Sequence, residues 1–226
     1  MKNSLARMDI LRQNLPAVKI LAVSDQVVDR IYDLIASGQF REVDLLLGCG
    51  DLPYSYLENL VSLLNVPLFY VPGNHDPEYN ERWPQSRAEG GSNLDLKLAC
   101  VKGLLIGGLG GSIWYRPDGV NQYHQITAQL RAFSLVPGLL WNRLRYGRAL
   151  DILISHSPPF GIHDDDSQAH RGLHALNWLL WLARPRYHFH GHTHFYRQNL
   201  AASATQFGPT KIINVYPYKV IELSND

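Results

Sequence analysis

Three apolar runs alternate with helical segments in the first third of the chain, and this alternation restricts the fold more than any other feature. The runs cover residues 18–23, 43–47 and 66–71, and their largely apolar character is typical of strands buried on both faces. Residues 28–35 and 54–64 between them carry apolar side chains at helical spacing. This order favours a parallel sheet with right-handed crossovers, because parallel neighbours need such a connection. The sequence therefore predicts an α/β fold.

Further apolar segments in the rest of the chain predict additional strands. Residues 97–109 predict two strands around a Lys-Gly turn, and residues 149–154 and 187–190 predict one strand each. The last two segments, residues 211–216 and 218–223, are close together in sequence. We therefore expect them to form a closing hairpin.

Helical spacing recurs in residues 122–147 and 173–182. Pro137-Gly138 is expected to divide the first of these segments into two helices, since proline interrupts a helix interior. Residues 77–97 are rich in Pro, Gly, Ser, Asn and charge, which predicts a surface loop that covers the site. No internal repeat or linker divides the sequence, so we expect a single domain over residues 1–226.

Composition indicates a globular protein without export signals. The chain is 46% hydrophobic and 18% charged, and its net charge of +1 predicts no general attraction to nucleic acid or to an anionic membrane. Cys49 and Cys100 cannot build a disulfide framework. No signal peptide and no apolar run of about 20 residues is found, so a soluble cytoplasmic protein is expected.

Polar side chains follow five of the predicted strands, at the point where each strand ends. They are Asp25, Asp51, the run Asn74-His75-Asp76, His156, and the pair His192 and His194. Since the carboxyl ends of parallel strands meet at one edge of a sheet, we expect these residues to converge. Carboxylate, amide oxygen and neutral imidazole are ligands of Mn, Fe or Zn, and a set this large can hold two ions about 3.5–4 Å apart. We interpret Asn74 as a metal ligand and His75 as the proton donor of a phosphoester-cleaving site.

Other interpretations exist for several histidines and aspartates. Asp25 and Asp51 can serve as helix N-caps after strands, and His75 can be a hydrogen-bonded turn residue. His188 and His190 alternate with aromatic residues on a short strand, so both face one side. That arrangement favours packing or a supporting role over metal ligation.

The order of these motifs resembles that of the calcineurin-like metallophosphoesterase superfamily. Its members carry D-x-H, then G-D, G-N-H-D/E, a lone histidine and G-H-x-H. Four motifs match in this order: Gly50-Asp51, Gly73-Asn74-His75-Asp76, His156 and Gly191-His192-Thr193-His194. The resemblance implies a four-layer α/β/β/α sandwich, in which two mixed sheets are flanked by helices, with a dinuclear metal site at its edge.

The resemblance also implies a role for each matched position. Asp51 would bridge the two metal ions. The second ion would be completed by Asn74, His156 and His192, and the first by Asp25 and His194. His75 would be the catalytic acid, and Asp76 would orient it.

One residue departs from the family pattern. The first motif reads Asp25-Gln26-Val27, and valine cannot coordinate a metal. The first metal would therefore retain Asp25, Asp51 and His194, which predicts weaker binding or a harder, more hydrated ion there. We expect one or two divalent ions, among Mn, Fe, Zn and Ni, with lower occupancy at the first site.

These assignments predict a metal-dependent hydrolase of phosphomonoesters or phosphodiesters that acts on a small phosphorylated substrate. A metal-bridging hydroxide would attack phosphorus while His75 protonates the departing alcohol. The loss at Val27 leaves an alternative, a metal- or phospholigand-binding protein with weakened catalysis on the same fold. The retained His75 favours the hydrolase, because a protein that only binds does not need a proton donor there.

Two loops are candidates for substrate contact. In residues 161–172, His163 and Arg171 are suited to meet the phosphate or the leaving group, and the alternative is a solvated acidic loop. Residues 114–116, Trp-Tyr-Arg, can stack on a base or can pack against the fold. Nucleic acid is not expected as a partner, since no extended basic surface is evident.

Overall fold

The structure is a computed structural model that describes residues 17–194 and 203–223. The strands of these ranges are β1 (Val18–Val23), β2 (Leu45–Gly48), β3 (Leu68–Tyr70), β4 (Gly91–Asn93), β5 (Leu98–Val101), β6 (Leu104–Leu109), β7 (Ser112–Ile113), β8 (Gln122–Tyr123), β9 (Ile152–Ser155), β10 (Tyr187–His190), β11 (Ala204–Phe207), β12 (Thr210–Asn214) and β13 (Tyr218–Leu223). The α-helices are α1 (Arg30–Ala36), α2 (Tyr54–Leu64), α3 (Gln125–Phe133), α4 (Val136–Tyr146) and α5 (His174–Ala183). A short 3₁₀ helix covers Pro84–Ser86.

The first sheet has the strand order β13-β1-β2-β3-β4. β1 to β4 are parallel, because helical crossovers connect β1 to β2 and β2 to β3, and β13 runs antiparallel to β1. The helices α1 and α2 cover its outer face. Ile31 of α1 and Leu57 and Leu60 of α2 are buried there with apolar side chains of β1, β2 and β3.

The second sheet has the order β11-β12-β10-β9-β6-β5. Its four central strands are parallel, and the edge strands β11 and β5 pair antiparallel with their neighbours. The helices α3, α4 and α5 cover the outer face of this sheet through Ala132, Leu139, Leu176 and Leu179.

The two sheets pack face to face around a shared apolar core. Ile20, Leu47, Ile106, Ile154 and Phe189 are fully buried between them. Burial of each such side chain contributes roughly 1.5–3 kcal/mol. The four layers, helices, sheet, sheet and helices, confirm the predicted α/β/β/α sandwich. No helix in residues 17–194 or 203–223 is long and apolar enough to cross a bilayer.

The predicted closing hairpin is wrong. β12 pairs in parallel with β10 in the second sheet, whereas β13 pairs with β1 in the first. The chain crosses between the sheets at Val215, which is fully buried in the shared core. The hairpin partner of β12 is β11, and Gly208-Pro209 lies between them. Adjacent apolar runs therefore belong to different sheets.

Two boundaries also differ from the predictions. The break between α3 and α4 falls at Ser134-Leu135, and Pro137 lies in the first turn of α4. Proline is tolerated there because the first amide groups of a helix have no partner within it. The predicted loop of residues 77–97 contains β4, a Gly-Ser-Asn edge strand without an apolar pattern.

Candidate metal centre

The loops that follow five strands place polar side chains at one edge of the sandwich. Asp25 follows β1, Asp51 follows β2, Asn74 follows β3, His156 follows β9 and His192 follows β10. Asp25, Asp51 and His192 adopt left-handed backbone conformations, with φ of 64°, 55° and 67°. Such conformations cost a non-glycine residue roughly 1–3 kcal/mol and are concentrated at functional sites. The chain thus turns sharply at three of the predicted ligands.

Two glycines permit close approach between these loops. A Cβ atom at Gly73 would overlap the carboxylate of Asp51, and one at Gly191 would overlap the side chains of Ser24 and Asp25. The glycines of the G-N-H-D and G-H-x-H motifs are therefore required by the packing of the ligand loops against one another.

His156 lies at the centre of the site and is fully buried. Its Nδ1 is 2.9 Å from the carbonyl oxygen of Cys49, so this nitrogen carries a proton and donates it. In the neutral ring, the unprotonated Nε2 is 3.1 Å from Oδ1 of Asn74 and 3.3 Å from Oδ2 of Asp51. A metal-binding histidine commonly has its second nitrogen bonded to a backbone carbonyl in this way.

His192 and Asn74 are oriented by similar contacts. Nε2 of His192 lies 2.7 Å from the carbonyl oxygen of Ala169, which leaves Nδ1 unprotonated and 3.0 Å from Nε2 of His156. Nδ2 of Asn74 donates a hydrogen bond of 3.2 Å to Oη of Tyr115, so Oδ1 of Asn74 points at His156. Ala169 and Tyr115 therefore fix which atoms face the centre.

Four lone-pair donors converge with no proton among them when both histidines are neutral. The ligand atoms of Asp51, His156 and His192 all lie within 4.8 Å of one another, and Oδ1 of Asn74 joins them. Such a cluster requires a cation, and its nitrogen and oxygen donors fit a divalent transition metal. The chemistry of these four side chains therefore fits a metal site.

Without a metal, the required positive charge is a proton on His156. Burial lowers the pKa of His156, but the adjacent Asp51 carboxylate outweighs burial and raises this pKa to about 10. Burial works to raise the pKa of Asp51, but His156 and His75 hold it well below its usual range. Burial and the charge of His156 lower the pKa of His192 to about 3. The metal-free site therefore contains one imidazolium beside one carboxylate.

Metal binding is expected to release about one proton near neutral pH, because the ion must displace the proton of His156. Its pKa of about 10 lies above that range, so affinity should rise about tenfold per pH unit until His156 is deprotonated. Isothermal titration with Mn²⁺ in buffers of different ionisation enthalpy measures this release. The control is His174→Gln, at an exposed position on α5. Metal binding to this variant should release the same number of protons as metal binding to the native protein. Metal binding without proton release would contradict the assignment of His156 as a protonated metal ligand.

Asp25 and His194 form a second, more open group. Both carboxylate oxygens of Asp25 accept the backbone N–H of His192, at 3.1 and 3.0 Å, and Oδ1 is 3.8 Å from Nε2 of His194. The Asp25 contact raises the pKa of His194. Val27 is 40% exposed. The position where the family has a histidine therefore contributes a solvent-facing apolar side chain.

Tyr216 occupies the space beside this open group. Its ring stacks on His194 with centroids 4.4 Å apart and planes 12° apart. Its Oη donates a hydrogen bond of 2.8 Å to Oε1 of Gln26. Both contacts link residues distant in sequence, and no motif indicated this tyrosine.

Asp76 connects two ligand loops. Its Oδ2 accepts backbone N–H groups of Gly73, at 2.7 Å, and of Asp51, at 2.9 Å. Burial raises the pKa of Asp76 to about 6. The role predicted for Asp76 is to orient His75, and the hydrogen bonds that its carboxylate makes are to these two backbone amides. The spacing of three residues between Gly73 and Asp76 is the local signal for such a turn.

His75 lies at the solvent-facing side of the centre. Its backbone N–H donates to Oδ1 of Asp51 at 2.8 Å, and its ring Nε2 is 4.0 Å from Oδ2 of the same carboxylate. The side chain is 63% exposed. An imidazole so placed can reach a molecule that approaches the centre from solvent.

The two residues of the 161–172 loop that were predicted to contact substrate, His163 and Arg171, lie in different surroundings. His163 packs against the second sheet, with Nδ1 2.8 Å from Nε2 of His190 and Nε2 2.8 Å from Oγ1 of Thr205. Arg171 is exposed. His170, which was not predicted as a site residue, has its ring 5.2 Å from that of His192. The loop therefore reaches the centre through His170 and Ala169.

Comparison with known proteins agrees with the motifs. Residues 18–196 match the family model of the calcineurin-like phosphoesterases, and the protein belongs to this family. Its members are typically metal-dependent, and the cluster of Asp51, His156 and His192 fits that property. This match confirms the resemblance inferred from the sequence.

Two solved structures are similar to the chain at low identity. One is vacuolar protein sorting 29 from Cryptosporidium parvum, with 12% identity, a TM-score of 0.44, and coverage of 88% of this chain and 74% of that chain. The other is described as a novel archaeal phosphodiesterase, with 13% identity, a TM-score of 0.41, and coverage of 91% of this chain and 100% of that chain. No curated protein sequence matches the chain.

Proposed function

We propose that the protein is a metal-dependent hydrolase that cleaves phosphomonoester or phosphodiester bonds of a small substrate. The observation that carries this proposal is the convergence of potential ligand atoms of Asn74, Asp51, His156 and His192 on one point. Membership in the calcineurin-like phosphoesterase family supports the same reaction class. His75, exposed beside this point, supports a role in proton transfer.

Two groups of residues would hold metal. Asp51, Asn74, His156 and His192 would hold one ion, and Asp25, Asp51 and His194 would hold the other. Bound divalent ions would supply Lewis-acid polarisation of the phosphoryl group and an activated water. Mn, Fe, Zn and Ni suit nitrogen and oxygen donors without thiolate. The open arrangement around Asp25 and Val27 supports weaker metal binding by the group of Asp25, Asp51 and His194.

The chain's own residues would position and protonate the substrate. His75 would donate a proton to the departing oxygen, since imidazole can give up a proton near neutral pH. Asp51 would keep His75 in place through the backbone hydrogen bond of 2.8 Å. Asp76 would hold the loops of Asp51 and Gly73 together, which keeps the donor and the ligands in register. His170 and Arg171 would border the substrate.

A second candidate function is a metal- or phospholigand-binding protein with weakened catalysis, and the observation that favours it is Val27. Its solvent-facing apolar side chain stands where the family pattern requires a ligand. A loosely held first ion would reduce turnover while leaving the cluster around His156 intact. The two functions differ in whether the native chain turns over a phosphoester.

The test is turnover of nitrophenyl phosphate and bis-nitrophenyl phosphate with added Mn²⁺. We expect hydrolysis of at least one ester, and Val27→His should increase activity at sub-saturating metal because it restores a ligand. The matched control is Val220→His, since Val220 is also 40% exposed but lies on β13. If the metal-bound protein hydrolyses neither ester, the result would contradict the proposed hydrolase function and favour the binding function.

A further inference from the structure

The helices over the second sheet are apolar on both faces. Their inner faces bury Ala128, Leu139 and Leu176 against the sheet. Seven large apolar side chains point to solvent instead, and together they define the outer helical face: Ile126, Leu130, Phe133, Leu140, Trp141, Leu144 and Trp181. A helix that is apolar on its inner and outer sides normally lies between two layers. Within residues 17–194 and 203–223, only the second sheet packs against these helices.

The exposed apolar side chains follow the spacing of the helices, and a ring contact links two of the helices. On α3, Ile126, Leu130 and Phe133 follow at helical spacing along one side. Ile126 is 77% exposed and Leu144 on α4 is 82% exposed. Phe133 contacts Trp178 of α5 with ring centroids 4.6 Å apart, which joins α3 to α5. Single exposed apolar residues need no explanation, but a patch across three helices marks an interaction surface.

A groove joins α4, α5 and the β11–β12 turn. It has a volume of about 510 Å³ and is lined by residues that include Arg143, Trp181, Arg184, Phe207 and Pro209. Arg184 lies three residues before the start of β10 and Pro209 directly precedes β12, whereas the metal cluster follows the carboxyl ends of strands such as β9 and β10. The groove therefore lies at the opposite end of the second sheet from the metal centre.

The segments that form these helices carry basic side chains and no carboxylates. Residues 119–150 and 167–221 contain no aspartate or glutamate. Arg131 and Arg148 of this region are paired with Asp95 and Asp151, each at 2.7 Å. Within residues 17–194 and 203–223, no carboxylate forms an ion pair with Arg143, Arg145 or Arg184. The net charge of +1 conceals this uneven distribution.

We propose that the outer helical face docks on an anionic lipid bilayer. Leucine, isoleucine, phenylalanine and tryptophan side chains would enter the boundary between headgroups and acyl chains. Arg143, Arg145 and Arg184 would meet lipid phosphates, and such basic residues add electrostatic attraction to an anionic leaflet. The association is peripheral, since α3, α4 and α5 are too short to span a bilayer.

Two features favour a bilayer over other occupants. A second copy of the chain would bring the same arginines to both sides of a two-fold interface, with no carboxylate in these segments to pair them. Of the seven apolar side chains, only Trp181 lines the groove, and the other six stand on helix surfaces outside it. A lipid surface needs apolar area and charge complementarity but no matched pocket, whereas a protein partner normally needs close shape complementarity.

Vesicle flotation with the full chain tests this proposal. We expect the protein to float with phosphatidylcholine vesicles that contain phosphatidylglycerol, and to bind at least about tenfold more weakly to phosphatidylcholine alone or at high salt. Leu144→Glu should reduce the binding strongly. Reversal of both Arg143 and Arg145 to glutamate should reduce it more than about tenfold, because each lost basic charge costs roughly fivefold.

Matched controls lie on the helical layer of the first sheet. Leu63, which is 55% exposed on α2, and Arg30, which is exposed on α1, provide Leu63→Glu and Arg30→Glu. These changes should leave flotation within about twofold of the native level, and circular dichroism checks folding of every variant. All five substituted positions are exposed, so the variants are expected to fold.

Four outcomes would overturn the proposal. One is absence of binding to the anionic vesicles, and another is an equal loss of binding for Leu63→Glu and Leu144→Glu. The third is a concentration-dependent dimer in sedimentation velocity that Leu144→Glu abolishes, which would assign the outer helical face to a second copy. Binding of poly-glutamate without any vesicle binding would assign it to an acidic protein instead.

Discussion

Asp51→Asn is expected to lower kcat/KM for a phosphoester by roughly 10³-fold and divalent-metal affinity by at least about 100-fold. Asp51 supplies the negative charge of the cluster, since Asn74 is uncharged and His156 and His192 would bind metal as neutral rings. Its Oδ2 lies 3.3 Å from Nε2 of His156, and its Oδ1 accepts the backbone N–H of His75. Isothermal titration and steady-state kinetics measure the two losses.

The same substitution has an independent signature in the metal-free protein. The pKa of His156 is about 10 because the Asp51 carboxylate outweighs burial. With asparagine at position 51, burial acts with less opposition, so this pKa should fall substantially. Nuclear magnetic resonance titration of the His156 ring reports the change without any metal or substrate. An unchanged titration would show that another group holds the proton on His156.

Asp95→Asn is the matched control for Asp51→Asn. Asp95 is another largely buried carboxylate, and it is paired with Arg131 at 2.7 Å. Its substitution by asparagine makes the same change from carboxylate to amide, but away from the metal cluster. Its loss should reduce the free energy of unfolding, because Arg131 is left without its partner. Metal affinity should stay within about twofold of the native value. A native metal affinity in Asp51→Asn would contradict the assignment of Asp51 as a ligand.

Local sequence patterns predicted the parts of the fold that depend on neighbouring residues. The runs that became β1, β2 and β3 were recognisable because each is apolar and separated from the next by one helix. The convergence of the polar residues that follow these strands could also be predicted, since a parallel arrangement brings the carboxyl ends of the strands to one edge of the sheet. The predicted residues Asp51, Asn74, His156 and His192 are indeed brought together there.

Long-range choices could not be predicted in the same way. The partner of β12 is β10, not its sequence neighbour β13, because Val215 carries the chain through the core between the sheets. Nothing in residues 211–223 encodes which sheet accepts each run. β4 forms from a Gly-Ser-Asn segment because β3 offers a free edge, and an apolar pattern is absent there.

The contacts that orient the ligands were also hidden from the sequence. Tyr115 is 41 residues from Asn74, and Ala169 is 23 residues from His192, yet they determine which atoms face the centre. A backbone carbonyl such as that of Ala169 leaves no trace in residue identity. The hydrogen bonds of Asp76 were hidden for a related reason, because its partners are backbone amides of Gly73 and Asp51. Motif spacing therefore identified the ligands but not their supports.

His75→Asn is expected to reduce kcat by roughly 10²–10⁴-fold for substrates with poor leaving groups, while metal affinity stays close to native. Asparagine keeps the backbone N–H that donates to Asp51 at 2.8 Å, so the ligand loops should be unchanged. What is lost is the exposed imidazole, the group proposed to protonate the departing oxygen. An alkyl phosphate requires that proton, whereas nitrophenolate leaves with little help.

Comparison of the two leaving groups separates proton donation from a structural effect. The loss of kcat in His75→Asn should be much smaller for a nitrophenyl ester than for an alkyl ester. His174→Asn, at an exposed histidine on α5, should change neither rate. Equal losses on both esters together with weaker metal binding would show that His75 supports the ligands, because a proton donor influences only the step in which the leaving group departs.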